Sequence, residues 1–218
     1  FEDGDILCIA SSVLAKANGQ TRNLAEIEPT ERATAIAAAA GEDPRFIQVI
    51  LDASVDVLLE SPFILAAVPC GHIGVRAGVD RSNVQPDGKD EYLALLPWDA
   101  DASAYQLQAQ LEALTGIAPV VIISDSDGRA WRLGVVGVAI GLAGLPGLVD
   151  LRGQADLFGY TLKITLIGAA DELAAAASLV MGQAAEGTPV VHVRGFPYPL
   201  REGRLAELLR PKEQDMFR

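Results

Sequence analysis

The sequence predicts an α+β fold in which mixed sheets are flanked by helices. Short apolar runs typical of strands alternate with helical patterns, but their order is not a strict strand–helix–strand repeat. No low-complexity linker and no internal repeat divides the 218 residues. Half of the residues are hydrophobic, which is enough to form a core in one domain or in two small lobes. We therefore expect residues 1–218 to form a single module.

The N-terminal half is predicted to contain one buried strand, two helices and three short strands. Residues 5–10 form the first strand, and the alanine-rich residues 30–40 form a helix that ends at Gly41. Asp43-Pro44 combines a capping carboxylate with a proline at the first helical position, which predicts a second helix running to about Glu60. The three strands that follow are predicted over residues 63–68, 72–77 and 92–96.

The C-terminal half is predicted to contain further helices and strands. The helices cover residues 102–114 and 171–182, and the strands cover residues 119–123, 162–166 and 189–193. Residues 133–149 carry no charge, and their regularly spaced glycines would also suit a helix-packing face in lipid. This segment is slightly short for a membrane span and contains Pro146. We expect it to be a buried strand followed by a glycine-rich turn.

Composition and charge exclude several classes of protein. A net charge of −12 argues against a nucleic-acid-binding surface, because phosphate backbones are held by clustered Lys and Arg. A polyphosphate ligand would need metal ions to offset the same repulsion. Cys8 and Cys70 form neither a metal motif nor a disulfide framework. The first residues do not read as a secretory signal. We therefore expect a cytoplasmic protein that binds neither nucleic acid nor membrane.

Two acidic turns, each predicted at the end of an apolar run, are the most informative feature of the sequence. Residues 77–83 read AGVDRSN, and residues 123–129 read ISDSDGR. Asp80 and Asp125 are also ordinary turn residues, because an aspartate in a turn hydrogen-bonds to its own backbone. Two such turns after buried strands favour a shared Mg²⁺ or Mn²⁺ site, since these ions prefer carboxylate and phosphate oxygens.

Nucleotide binding, if present, must use a site other than a P-loop. No glycine-rich run ends in Gly-Lys-Ser or Gly-Lys-Thr, which excludes that fold. Ser11 and Ser12 follow the first strand, and Lys16 is the only lysine before Lys89. Two hydroxyls followed by an ammonium group could hold phosphate oxygens. The alternative is a solvated strand end, and spacing does not decide between the two.

Five segments carry a resemblance to a known family. They are FEDGDILCIASSVLAKANG at 1–19, LLPWDADASA at 95–104, the second acidic turn continued by WRLGVVGVAIG at 131–141, DLRGQADLFGYTL at 150–162 and MGQAAEGTPVVHVRG at 181–195. In this order they closely resemble the GTP-dependent coenzyme F420-0:γ-glutamyl ligases. The resemblance covers nearly the whole chain. It implies a two-lobed α+β fold and an intertwined homodimer.

The resemblance implies amide ligation driven by GTP. The terminal carboxylate of the F420-0 lactyl group would attack the γ-phosphate, giving an acyl phosphate and GDP. The amine of L-glutamate would then displace phosphate, and further γ-linked glutamates could be added in the same way. Such catalysis depends on positioning and electrostatics, so no catalytic side chain is assigned.

The resemblance also implies the site residues. Asp80 and Asp125 would bind one or two Mg²⁺ or Mn²⁺ ions, Ser126 and Gln183 would help hold the second, and K⁺ is a further candidate ion. Ser126 stands where the family usually has Thr, and Gln183 where it usually has Glu, which leaves the metal stoichiometry open. GTP is expected to contact Ser11, Ser12, Lys16, Asn83, Met181, Gly182, Gln183, Ala184, Ala185, Glu186, Gly187 and Thr188. Without the resemblance, residues 181–188 would pass as a plain connection.

Other charged residues have open interpretations. Four arginines stand near motif residues: Arg129, Arg132, Arg152 and Arg194. Each is either a surface or salt-bridging arginine, or a receptor for the phosphodiester and carboxylates of the acceptor. His72 and His192 lie in strand-like runs, and we expect both to be packing residues without a chemical role.

The resemblance also raises expectations about sequence beyond both ends. The family usually carries a further N-terminal segment with a Leu-Pro piece that helps bind GTP, whereas this chain starts at FEDGD. Residues 209–218 resemble the junction in two-domain actinobacterial relatives, where a flavin-binding nitroreductase-like domain follows. Two rival functions stay open: a related amide ligase with another carboxylate acceptor, and a non-catalytic homologue that binds GTP and metal.

Overall fold

The computed structural model describes residues 1–84 and 90–215. Its strands are β1 Ile6–Ala10, β2 Thr21–Asn23, β3 Asp56–Leu59, β4 Leu65–Ala67, β5 Ile73–Val75, β6 Tyr92–Ala94, β7 Val120–Arg129, β8 Arg132–Ala143, β9 Val149–Asp150, β10 Leu166–Ile167 and β11 Val190–Val193. Its helices are α1 Ser11–Ala17, α2 Glu31–Ala40, α3 Pro44–Ala53, α4 Ala100–Thr115 and α5 Ala169–Met181. The α+β class with mixed sheets is thus confirmed. Residues 216–218 of the predicted interdomain junction lie outside the described residues.

The central sheet has the strand order β11-β1-β7-β8. β1 runs parallel to β7, with Ile6 opposite Val120 and Ala10 opposite Ser124. β11 and β8 are antiparallel to their neighbours, so the sheet is mixed. Three smaller sheets pair β3-β4-β5, β2-β6 and β9-β10.

A helix covers each face of the central sheet, and the side chains of the strands alternate between the two. On one face, Ile6, Cys8 and Ile122 pack with alanines of α5. On the other face, Leu7, Ile9, Val121 and Ile123 pack with Ala100 and Ala104 of α4. Because the period of a strand is two residues, a sheet covered on both sides needs apolar residues at every position. This requirement explains the continuous apolar runs of β1 and β7.

Two glycines of β8 allow the helices to approach closely. A Cβ at Gly137 would lie 2.8 Å from the carbonyl carbon of Ala174 in α5. A Cβ at Gly141 would lie 2.5 Å from the carbonyl carbon of Ala100 in α4 and closer still to its oxygen. The spacing of glycines that first suggested a lipid-facing helix therefore reflects helix packing on a strand.

The free edge of β8 is closed by side chains from the same helices. The backbone N–H of Ala139 donates to Asp171 of α5 at 2.9 Å, and that of Gly137 donates to the hydroxyl of Ser178 at 3.2 Å. On the α4 side, the N–H of Leu142 donates to Asp101 at 2.8 Å. These bonds satisfy donors that an edge strand would otherwise expose.

A second core forms around α2 and α3. Phe46 and Ile50 of α3 are fully buried and pack with Leu24, Ile36 and Leu93. The predicted helix signals are confirmed: Thr30 caps α2 through the N–H of Ala33, and Gly41 ends it in the left-handed conformation. Asp43 caps α3 through the N–H of Arg45.

Two predicted element boundaries are wrong. α3 ends at Ala53 rather than near Glu60, because residues 56–59 pair as β3 with β4. Strand pairing in the fold thus overrides the local helical pattern. The strand predicted over residues 162–166 is reduced to Leu166–Ile167, which pair with β9.

One further prediction about a loop is corrected. The second acidic turn is a strand, because β7 continues to Arg129 and pairs with β8 throughout. The chain reverses at Ala130-Trp131 instead, where Trp131 has a φ of 67°. Ser11 and Ser12 follow β1, as predicted, and they open the helix α1.

Residues 133–149 form most of β8 and the turn after it, as predicted in preference to a membrane span. Among the helices of residues 1–84 and 90–215, none combines the length and the apolar character needed to cross a bilayer.

We predict that Gly141→Ala destabilises the protein by about 1–3 kcal/mol, because the added methyl group must displace the backbone of α4. Chemical denaturation followed by circular dichroism measures the change. Gly128→Ala is the matched control, since Gly128 lies in the neighbouring strand with no atom within 4 Å of the added carbon. Equal stability of the two variants would contradict the proposed close packing.

Candidate functional site

A cavity of about 630 Å³ opens where the end of β1 and the middle of β7 meet the turn after β5 and the loop after α5. All residues predicted for nucleotide and metal binding line this cavity: Ser11, Ser12, Lys16, Asp80, Asn83, Asp125, Ser126, Met181, Gly182, Gln183, Ala184, Ala185, Glu186, Gly187 and Thr188. Four segments that are distant in the sequence thus meet at one place. Their location agrees with the prediction, and their roles stay predictions.

The parallel pairing of β1 and β7 brings Ser11 to Asp125. Ala10 lies opposite Ser124, so Ser11, the residue after β1, lies beside Asp125 of β7. The hydroxyl of Ser11 donates to Oδ1 of Asp125 at 3.2 Å. Asp127 projects from the same strand two residues later but contacts His72, at 3.6 Å from Nε2. Asp125 is therefore the carboxylate of β7 that faces the cavity.

Asp80 is held in a tight turn beside Asp125. Its backbone pairs with Ala94, and the N–H and hydroxyl of Ser82 both donate to its Oδ1 at 2.8 Å. The preceding Gly78 has a φ of +63°, and a Cβ there would lie 3.3 Å from Oδ2 of Asp125. The turn that carries Asp80 therefore passes directly against the Asp125 side chain.

Lys16 and Asn83 connect three walls of the cavity. Nζ of Lys16 donates to the carbonyl oxygen of Asn83 at 2.8 Å. The side-chain amide of Asn83 donates in turn to the carbonyl oxygen of Ala184 at 2.9 Å. These bonds join α1, the Asp80 turn and the loop after α5.

The loop at residues 181–188 has its own internal support. The N–H of Ala184 donates to Oε2 of Glu186 at 2.8 Å, and this bond lowers the pKa of Glu186. Gly182 has a φ of 75°, a conformation that favours glycine. Gln183 and Glu186 both line the cavity, so the loop still carries a charge although Gln183 is an amide.

The cavity is unfavourable for the charge of Asp125. Burial raises the pKa of Asp125 from 3.8 to about 6, and the charges of Asp80 and Asp127 act in the same direction. The N–H of Ser126 and the hydroxyl of Ser11 oppose this shift. A carboxylate that is hard to ionise alone suits a bound cation, which reverses the electrostatic balance.

The donor set fits a metal that shares its ligands with a substrate. In residues 1–84 and 90–215, no group of three or more His, Cys, Asp and Glu side chains is arranged to hold a metal ion. Mg²⁺ often takes only one or two carboxylates and completes its shell with phosphate oxygens and water. Asp80 and Asp125, with the oxygens of Ser126 and Gln183, fit this kind of site.

The four arginines named from the sequence do not line the cavity. Arg152 pairs with Asp150 at 2.6 Å, and Arg194 makes two bonds to the buried Asp5. Arg129 donates to the carbonyl oxygen of Leu133. Arg76 lines the cavity instead. Sequence reasoning missed it, because nothing in the strand-like run around Arg76 marks a site.

The two histidines differ in their surroundings. His72 is buried, as predicted, and burial lowers its pKa. His192 is partly exposed and lies edge-on to Phe1, with Nε2 3.1 Å from Oδ2 of Asp5. Neither residue lines the cavity.

We predict that Asp125→Asn stabilises the metal-free protein at pH 7 but not at pH 4. Because the folded pKa lies above the unfolded value, the native state loses stability as pH rises from about 4 to 6. At about 1.4 kcal/mol per pKa unit, the ionised side chain costs about 2–3 kcal/mol above pH 6. The asparagine oxygen can still accept from Ser11.

Denaturation in EDTA at both pH values measures this difference. Asp52→Asn, at an exposed position on α3, is the control and should change little at either pH. A loss of stability at pH 7 in the Asp125 variant would contradict the electrostatic account.

The comparisons with known proteins identify the family of the chain. The family model described as F420-0:Gamma-glutamyl ligase matches residues 1–195. A Coenzyme F420:L-glutamate ligase of Archaeoglobus fulgidus is 44% identical, covering 100% of this chain and 86% of that protein. Proteins of the same name from Methanothermobacter thermautotrophicus and Methanopyrus kandleri are 46% and 45% identical, covering 99% and 100% of this chain and 85% and 87% of their own lengths. The chain therefore belongs to the F420-0:γ-glutamyl ligase family.

Proposed function

We propose that this chain uses GTP to join L-glutamate to the lactyl carboxylate of F420-0, through an acyl phosphate. The observation that carries the proposal is the cavity, which collects two hydroxyls and a lysine from α1, a carboxylate from the turn after β5 and a carboxylate from β7. The relatives are named as F420:L-glutamate ligases, which supports the choice of both substrates. The same chemistry could add further γ-linked glutamates.

The triphosphate lies along α1 and the loop at 181–188. Ser11 and Ser12 offer hydroxyl donors, and Lys16 offers the positive charge that an acidic chain needs next to a polyphosphate. Asn83 and the loop residues Met181 to Thr188 complete the nucleotide side of the cavity.

Asp80 and Asp125 would hold Mg²⁺ or Mn²⁺, which supplies positive charge to the phosphates when bound. Ser126 and Gln183 are the candidate ligands of a second ion, and K⁺ is a further candidate. The raised pKa of Asp125 supports this assignment, because a cation favours its ionised form.

The chemistry needs no protein nucleophile. A carboxylate oxygen of the acceptor forms a bond to the γ-phosphorus as the bond to GDP breaks. The glutamate amine then forms a bond to the acyl carbon, phosphate leaves, and the amine loses a proton. The side chains of the cavity hold the reactants in line and stabilise the charge of the transferred group.

We also propose a homodimer that works in the cytoplasm. Six large apolar side chains are at least 87% exposed in the C-terminal part of the described chain: Trp131, Leu133, Leu157, Phe158, Ile164 and Leu179. Such a concentration of exposed apolar surface is typical of an interface. An obligate interface of this kind should bury more than about 2,000 Å² in total.

The function is tested by GDP release in a coupled assay with Mg²⁺. We expect continued release over many turnovers to require both L-glutamate and F420-0, because the acyl phosphate forms only with the acceptor and is consumed only by the amine. Release that requires glutamate but another carboxylate would favour the related amide ligase. GTP binding without release under any of these conditions would favour the non-catalytic homologue.

The dimer is tested by light scattering at micromolar concentration. We expect twice the chain mass of 22.9 kDa, and we expect Leu133→Asp to shift the protein toward monomer by placing a charge in the apolar interface. Leu114→Asp is the matched control, since Leu114 is 82% exposed on α4, outside this group of side chains. A wild-type monomer would refute the proposal.

A further inference from the structure

We propose that Arg76 binds the anionic acceptor and holds its carboxylate next to the γ-phosphate of GTP. This inference rests on the proposed function and names the residue that receives the second substrate. It follows from the charges of the cavity, from the hydrogen-bond donors that the Arg76 guanidinium group keeps for a ligand, and from the backbone conformation at this residue.

The charged residues that line the cavity limit where a second anion can bind. Among the residues that the structure describes, two with a cationic side chain line the cavity, Lys16 and Arg76, together with the acidic residues Asp80, Asp125 and Glu186. The reaction must bring a negative carboxylate to a negative triphosphate inside a chain with a net charge of −12. Lys16 already contacts the Asp80 turn through the carbonyl oxygen of Asn83. Within the described part of the chain, Arg76 is therefore the second cationic residue of the lining, and it can receive a second anion.

The guanidinium group of Arg76 is held by two contacts. Its Nη2 donates to Oε1 of Glu42 at 2.5 Å, and its central carbon lies 5.5 Å from the ring centroid of Phe46. Within residues 1–84 and 90–215, no hydrogen bond of Nε or Nη1 is present. The group is thus fixed at one corner and on one face while it keeps donors for a ligand. Arginine suits phosphodiesters and carboxylates, because its planar fork binds them bidentately.

The backbone of Arg76 has an unusual conformation. Arg76 has a φ of 57° and is followed by Ala77 at 54° and Gly78 at 63°. Residues other than glycine rarely adopt this left-handed conformation, and such outliers concentrate at functional sites. The N–H of Arg76 donates to Ile64 at 2.8 Å, and its carbonyl accepts from Val79 at 3.0 Å, so the turn is held on both sides. A long side chain at a position that favours glycine is explained if the side chain binds a ligand.

Arg76 lies only four residues before the proposed metal ligand Asp80. Gly78, two residues after Arg76, lies against Asp125, and Asp80 follows two residues later. An anion on Arg76 is therefore held on the same turn that carries a proposed metal ligand. The acceptor and the nucleotide then use different cationic residues, Arg76 and Lys16.

Arg81 offers a matched control. Its guanidinium carbon lies 4.7 Å from the centroid of the same Phe46 ring, and its Nη1 lies 3.6 Å from Glu42. It also donates to Glu91 at 2.7 Å. Arg81 does not line the cavity, so its loss perturbs the same packing without removing the proposed ligand contact.

The test compares Arg76→Ala, Arg76→Lys and Arg81→Ala with the wild type. For Arg76→Ala we expect the KM for F420-0 to rise about 10- to 100-fold, the loss expected for a charge-assisted contact, while the Kd for GTP measured without acceptor changes less than about 3-fold. Arg76→Lys should recover part of this loss, because it keeps the charge but not the planar fork. Arg81→Ala should leave both constants within about 3-fold of the wild type.

The outcomes separate this inference from the proposed function. An active wild type with an unchanged KM for F420-0 in Arg76→Ala overturns the role of Arg76 alone. An equal loss of GTP affinity without acceptor would make Arg76 a nucleotide ligand and also overturn it. Thermal melting of each variant shows whether it is folded, and Arg76→Lys keeps the test valid if Arg76→Ala is not. A wild type that neither turns over nor binds F420-0 contradicts both proposals.

Discussion

The parallel pairing of β1 with β7 is the interaction on which the site depends. The two strands lie in the middle of the central sheet, and their register runs from Ile6 opposite Val120 to Ala10 opposite Ser124. Both strands are covered by helices on both faces, so a shift of one residue would move every buried side chain to the wrong helix. The end of β1 therefore meets the middle of β7 at a fixed position, and Ser11 contacts Asp125 there. Sites of α/β proteins commonly form at such strand ends.

The packing around β8 positions a further wall of the cavity, the loop at residues 181–188. α5 is seated against Gly137 and bonded to the edge of β8 through Asp171 and Ser178. The loop at residues 181–188 starts where α5 ends and finishes where β11 pairs with β1. Both ends of the loop are thus anchored to the central sheet. A loop held in this way can present backbone and side-chain groups at defined positions.

Local signals in the sequence predicted the parts of the fold that depend on local physics. The caps at Thr30 and Asp43 and the left-handed Gly41 are short-range features, and the structure confirms them. The end of α3 and the extension of β7 could not be predicted, because both are decided by strand partners that are distant in the sequence. Family resemblance found the cavity residues where spacing alone left alternatives open.

Arg76 shows the limit of reading a site from sequence. Its position in the cavity follows from a turn of three left-handed residues after β5, and the composition of this segment does not predict that turn. The arginines that stand near motifs are instead engaged elsewhere, as in the pair of Arg194 with Asp5. Proximity in sequence to a motif is thus a weaker guide than proximity in the folded chain.

The central claim is that Asp80 and Asp125 converge on a cation that GTP needs for binding. The most direct measurement is calorimetric titration of GTP into the wild type, Asp80→Asn and Asp125→Asn, each with Mg²⁺ and with EDTA. The account predicts that the wild type binds GTP with Mg²⁺ and loses this binding in EDTA, and that both variants stay folded but lack the metal-dependent affinity. GTP binding that is equally tight in EDTA, or unchanged in both variants, would contradict the account.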